Sequence, residues 1–202
     1  MRKITEIIFA AGLVLAIAIS NVCSFVSDGR SLDGLRSKVL RLHILANSDS
    51  DEDQRLKLLV RDELLESGIL DGADSLSEAE AAAMEKLPEI TALAEEVLRR
   101  NDSSEAVTAE LTDMWFDERV YGDITMPAGE YRALRIRIGE AQGHNWWCVM
   151  YPPLCIPAAC EVEDDKSAES EYFDEKECDI MYKPKKYEVR FAFWDKIKSW
   201  LD

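Results

Sequence analysis

Cys148 lies in the stretch GHNWWCVMYPPLC (143–155) beside His144 and Asn145, and the other histidine, His43, precedes the turn Asn47-Ser48-Asp49. These residue types are the parts of a thiol hydrolase. The thiolate attacks a carbonyl, an imidazole (His43 or His144) takes the proton, and Asn145 or Asp49 orients the ring. No glycine-rich turn frames the thiol as an oxyanion hole would, and sequence alone sets neither histidine beside it. Two other readings fit the same residues: a disulfide-locked contact surface, or core.

The tryptophans fit core packing and a contact surface built around a strand equally well. Neighbours on a strand point to opposite faces, so one of Trp146 and Trp147 enters the core and the other lies outside it. The outer ring would stand near Pro152, Pro153 and Leu154, a rigid apolar exit loop, and aromatic anchors of this kind dominate protein interfaces. Cys148, Cys155, Cys160 and Cys178 form an even set that can pair in three ways. Spacing around the Pro-Pro bend and the acidic segment leads us to expect 148 with 155 and 160 with 178. No C-x-x-C spacing or histidine cluster points to a metal, and no cofactor is expected.

The elements that position these residues read as follows. KVLRLHILA (38–46) alternates as a strand and ends in the Asn47-Ser48-Asp49 turn. Ser50 caps a helix carrying Leu56, Leu59, Val60 and Leu64, which Gly68 stops. A second helical region opens at Ser75 or Ser77 and restarts at Pro88, with Ile90, Leu93, Ala94, Val97 and Leu98 on one stripe. From Ala106 the period becomes two. Val107 to Leu111, leading into Trp115-Phe116, and Leu134 to Ile138 read as strands. Gly139 to His144 then reads as a hairpin loop, and Asn145 to Tyr151 as the returning strand, stopped by the prolines. Tyr187 to Phe193 alternates as a further strand, followed by a short amphipathic helix from Trp194 to Leu201. The order β-α-α-β-β-β predicts an α+β fold, a mainly antiparallel sheet with helices packed on one face.

The chain has 202 residues, 47 % of them hydrophobic, enough for a core, and a formal net charge of −16 that disfavours nucleic acid and anionic lipid surfaces as partners. Half of that charge sits in residues 161–179, where ten acids face two lysines; such a block reads as a solvated loop. Arg2 and Lys3, the apolar run Ile7 to Ile19 and the small residues of Ala18-Ile19-Ser20 read as a cleavable export signal. Val22 before Cys23 departs from a lipid-attachment signal. A retained anchor over residues 4–26 is the rival reading, since Ile7 to Val26 is about long enough to span a bilayer. The expected organisation is thus a signal or anchor (1–27), one α+β domain (28–160), an acidic loop (161–180), and a C-terminal strand and helix (181–202) completing the domain.

RLHILANSDS (41–50), DEDQRLKLLVRDELL (51–65), YGDITMPAGEYRALRIRIGEAQGHNWWCVMYPPLC (121–155) and YEVRF (187–191) together resemble the stage II sporulation protein R family of endospore-forming bacteria. The resemblance implies a signalling protein, not an enzyme. It implies export from the forespore into the space between the forespore and mother-cell membranes. There the partner is a membrane-embedded aspartic protease that processes the pro-form of the mother-cell sigma factor E. The family's motif positions fall here on Arg41, His43, Asn47, Ser48, Asp49, Asn145, Trp146, Trp147, Cys148, Pro152, Pro153, Leu154 and Cys155. Cys160, Cys178 and the acidic block lie outside those motifs.

Overall fold

The computed structural model describes residues 2–69, 73–121, 123–152 and 172–201. Its elements are helix α1 (Arg2–Arg36), strand β1 (Leu40–Leu45), helices α2 (Asp51–Glu66), α3 (Leu76–Glu85) and α4 (Leu87–Arg100), strands β2 (Val107–Phe116), β3 (Arg119–Tyr121), β4 (Ile124–Met126), β5 (Gly129–Ile138) and β6 (Asn145–Tyr151), helix α5 (Glu175–Tyr182), a 3-10 turn (Pro184–Lys186) and helix α6 (Glu188–Leu201). Two compact units divide them: residues 36–117 with 128–165, and residues 1–35 with 118–127 and 166–202.

The first unit carries the expected α+β architecture. Its sheet has the order β2-β5-β1-β6. β5 pairs antiparallel with β2 and parallel with β1, and β1 pairs antiparallel with β6. Alternation sorts the side chains. Leu42 and Ile44 of β1, Leu134, Ile136 and Ile138 of β5, Val107 of β2 and Cys148 of β6 form one buried cluster with Leu56, Val60 and Leu64 of α2 and Ile90, Ala94, Val97 and Leu98 of α4. The helices therefore cover one sheet face, driven by their apolar stripes.

The helix ends follow their local chemistry. The Ser50 side chain accepts the Asp53 N–H at 3.1 Å, with Asp51, Glu52 and Asp53 in the first turn where the helix dipole favours anions. Gly68, at φ +62°, lies just beyond α2 in the left-handed conformation that glycine adopts without strain. Ser75, rather than Ser77, caps α3, and Pro88 sits in the first turn of α4.

One connection departs from expectation. The loop 139–144 does not form a hairpin between β5 and β6, because β1 lies between those strands. Two strand spacings of about 4.8 Å must be bridged, which a tight two-residue turn cannot do and six residues can.

The second unit corrects two readings of the C-terminal region. The segment read as a strand over Tyr187 to Phe193 is helical from Glu188, where α6 starts. Spacing of four wins over spacing of two: Tyr187 and Phe191 stack at 5.7 Å, and Arg190 and Trp194 meet Asp28 and Asp33 of α1. The acidic block is helical over its last part, not a loop throughout. Asp174 and Glu177 form a reciprocal capping box at the start of α5, and Glu177 is buried. Asp179 accepts from Lys183, Lys186 and Tyr187, with Lys183 the largest cause of its strongly lowered pKa. Helix α1 enters this unit with its final third. Phe25 meets Trp194 edge-on at 5.8 Å, and Leu32 and Leu35 are fully buried. Residues 3–24 are exposed throughout, and α1 is long and apolar enough to cross a membrane. The short pair β3 and β4 completes the unit.

Candidate recognition surface

The end of β1 is clasped by the loop that crosses it. The Gln142 and Gly143 N–H groups donate to the Asn47 and Ala46 carbonyls, each at 3.0 Å, and Asn47 Oδ1 accepts the Glu140 N–H at 3.0 Å. Asp49 Oδ1 accepts from both the His144 backbone N–H and its Nδ1, each at 2.5 Å. Those bonds hold the Asp49 carboxyl below its ordinary pKa, the backbone bond contributing most. From beneath, Lys57 of α2 donates to the His144 carbonyl at 2.9 Å, and Gln54 Nε2 to the Ser48 carbonyl at 2.9 Å. Ser48 and Asn47 both donate to Asp53, which lowers the Asp53 pKa, Ser48 first. A Cβ at Gly143 would overlap the Ser48 carbonyl, so the two segments pass at backbone distance.

Below the clasp, β6 runs against β1 in the register Leu45 to Asn145, Ile44 to Trp146, His43 to Trp147, and Leu42 to Cys148. The two tryptophans therefore fall on opposite faces, and both are half-buried. Trp146 packs against the helix-covered core with the Arg61 guanidinium 4.3 Å from its ring centroid. Trp147 lies on the other face, where its Nε1 donates to Asn145 Oδ1.

That other face carries an aromatic and cationic cluster. Arg41 is fully buried, its guanidinium carbon 4.2 Å from the Phe116 centroid and 4.9 Å from that of Tyr131. His43 is 3 % exposed and lies 4.7 Å from Trp147 and 6.0 Å from Phe116, centroid to centroid. Burial first, then the charges of Arg135 and Arg41, lower the His43 pKa to about 4, so the ring is neutral at physiological pH. Arg135 stands beside His43 across the parallel pair, its Nη1 3.5 Å from Glu110 Oε1.

The strand pairing thus unites the two segments singled out in the sequence: Arg41, His43, Asn47, Ser48 and Asp49 with Asn145, Trp146 and Trp147. Pro152 is buried just beyond β6. Pro153, Leu154, Cys155 and Cys160 lie outside the described residues. Cys178 Sγ stands 3.9 Å from the Phe173 carbonyl oxygen, and the expected pairs, 148 with 155 and 160 with 178, each have one member outside the described residues. The hydrolase arrangement finds no support in the geometry. Cys148 is 3 % exposed and belongs to the core cluster, His43 occupies the opposite sheet face, and the His144 side chain, 80 % exposed, is bonded to Asp49. Among the described residues no group of three or more His, Cys, Asp or Glu side chains is arranged to hold a metal.

Residues that sequence reading passed over contribute as much as those it named. Phe116, Tyr131 and Arg135 become part of the cluster only through strand register. Lys57 left a signal: a charged residue at helical spacing within the apolar stripe of α2 marks a buried cation with a carbonyl to reach.

A family model for stage II sporulation protein R matches residues 36–161. The chain is also 38 % identical over 139 residues to stage II sporulation protein R of Bacillus subtilis (strain 168), a match covering 65 % of this chain and 62 % of that relative. No solved structure matches.

Proposed function

The chain belongs to the stage II sporulation protein R family, a family of sporulation proteins, and from that membership we propose that it is an exported signal that switches on a membrane-embedded aspartic protease, which then processes the pro-form of the mother-cell sigma factor E. The observation that supports this reading is the clasp. It joins Asn47-Ser48-Asp49 to His144-Asn145 and sets Trp147 at the edge of a rigid sheet face. A preorganised patch with a half-buried indole suits recognition, because little side-chain freedom is lost on binding. The work of the protein is then done by shape, and Cys148 serves the core that carries the shape.

The route out of the forespore is part of the proposal. Helix α1 would act as the export signal, and cleavage after Ser20 would leave residues 25–35, the part packed in its unit, in place. Retained, its exposed stretch of about 22 residues would extend about 33 Å, enough to cross the roughly 30 Å hydrocarbon core. Co-expression of the chain with the protease and its sigma precursor in a host lacking sporulation genes tests the function. Precursor cleavage that depends on this chain is expected. No cleavage, with all three proteins present and this one exported and folded, would overturn the proposal.

A further inference from the structure

The sheet face that carries Trp147 holds two neighbouring residues with buried side-chain nitrogens that make no hydrogen bond. Both ring nitrogens of His43 are buried and lack a hydrogen-bond partner, as is Nε of Arg135, its neighbour across the β1–β5 pair. A neutral imidazole carries one donor and one acceptor, and a guanidinium edge presents parallel N–H groups. Buried groups of this kind are ordinarily satisfied. Here two stand side by side, walled by the rings of Phe116 and Trp147.

The charge of the face says what would satisfy them. Arg41 and His43 of β1 and Arg135 and Arg137 of β5 point to this side, while Glu110 of β2 is the acid beside Arg135. In a chain of net charge −16 this is a local concentration of cations. The Arg135 side chain, 34 % exposed, is the member of this pair that solvent reaches.

We propose that His43 and Arg135 form a receptor for a carboxylate of an acidic peptide segment on a partner protein. One carboxylate oxygen would accept from the Arg135 edge and the other from the His43 N–H, while the aliphatic stem of a glutamate would lie against Trp147. A two-oxygen acceptor matches this donor set; a phosphate would keep oxygens without donors. The proposal rests on reading this face as the recognition surface, and its test needs no protease.

The experiment uses the full chain in non-ionic detergent with isotope-labelled histidine. The chain holds two histidines, and a His144→Asn variant assigns their signals. The probes are acetyl-Gly-Glu-Gly-amide, its Gln counterpart and inorganic phosphate, at constant ionic strength. The Glu peptide is expected to shift the His43 ring resonances in a saturable way and to raise the pH at which they titrate by at least one unit; the Gln peptide should do neither. Arg135→Gln should weaken binding at least tenfold. Glu110→Gln, which alters an exposed carboxylate and leaves the core untouched, should strengthen it by freeing the guanidinium, and this holds the test even where Arg135→Gln fails to fold. An unresponsive His43, equal effects of the Glu and Gln peptides, or saturation by phosphate alone would overturn the proposal.

Discussion

Acid should destabilise this protein through His43 before it acts through most carboxylates. The ring titrates at about 4 in the folded chain against 6.5 when unhindered. Between those values the unfolded chain binds a proton that the folded chain refuses, so stability falls as pH drops through that window and levels off below it. A shift of this size corresponds to roughly 3 kcal/mol at about 1.4 kcal/mol per pKa unit, a large share of a typical domain's stability. His43→Phe keeps an aromatic ring against Phe116 and Trp147 and removes the proton site. Urea unfolding of the full chain in non-ionic detergent, followed by tryptophan fluorescence from pH 7 to 4, should show the wild-type free energy falling more steeply than that of the variant, by about 3 kcal/mol over the range. Carboxylates held below their ordinary pKa by hydrogen bonds, such as Asp49 and Asp53, also lose stabilisation as pH falls through their folded pKa, but they are common to both chains and cancel. Parallel curves for the two proteins would refute the reasoning, as would an NMR titration placing His43 near 6.5.

Other substitutions separate folding from recognition. Trp147→Ala should leave a cooperatively melting protein that no longer triggers precursor cleavage, read by immunoblot beside a thermal melt, whereas Trp146→Ala should cost about 2–3 kcal/mol of stability because that ring packs against the core. Gly143→Ala should push the loop away from the Ser48 carbonyl, lowering stability by about 2 kcal/mol and accelerating amide exchange at Gln142 and Gly143. Cys148→Ser should keep part of the signalling activity while costing about 1–3 kcal/mol, since a hydroxyl enters an apolar cluster. Activity lost as completely as by removing the whole protein, with the fold verified by circular dichroism, would restore the nucleophile reading.

Local rules were legible where local chemistry decides the outcome. Alternation in β1, the Ser50 cap and the Pro88 restart all act within a few residues, and the elements formed where those signals lie. Partnership was less legible. Residues 139–144 suit a hairpin loop as well as a bridge over an intervening strand, and only the parallel pairing of β1 with β5 selects the bridge. The apolar residues of 187–193 satisfy a two-residue period and also place Tyr187 and Phe191 one helical turn apart; packing against α1 decides for the helix. β3 and β4, at three residues each, are too short for alternation to register. For the site, the individual motif residues were visible, but the meeting of His43 with Arg135, Phe116 and Trp147 depends on register between segments up to about a hundred residues apart.

The position of β1 in the strand order also sets a folding timetable. It is the earliest strand in the chain, yet both of its edges are filled by strands that begin at Gly129 and Asn145. A chain emerging amino end first would present β1 with neither neighbour available, and with Leu40, Leu42 and Ile44 uncovered. Such a segment is a template for wrong pairing, and its central Arg41 and His43 reduce that hazard by placing polar groups on one side. The loop over the end of β1 can close only when residues 140–144 arrive. The patch proposed for recognition would therefore be complete only once β6, the last strand of this sheet in the chain, has emerged.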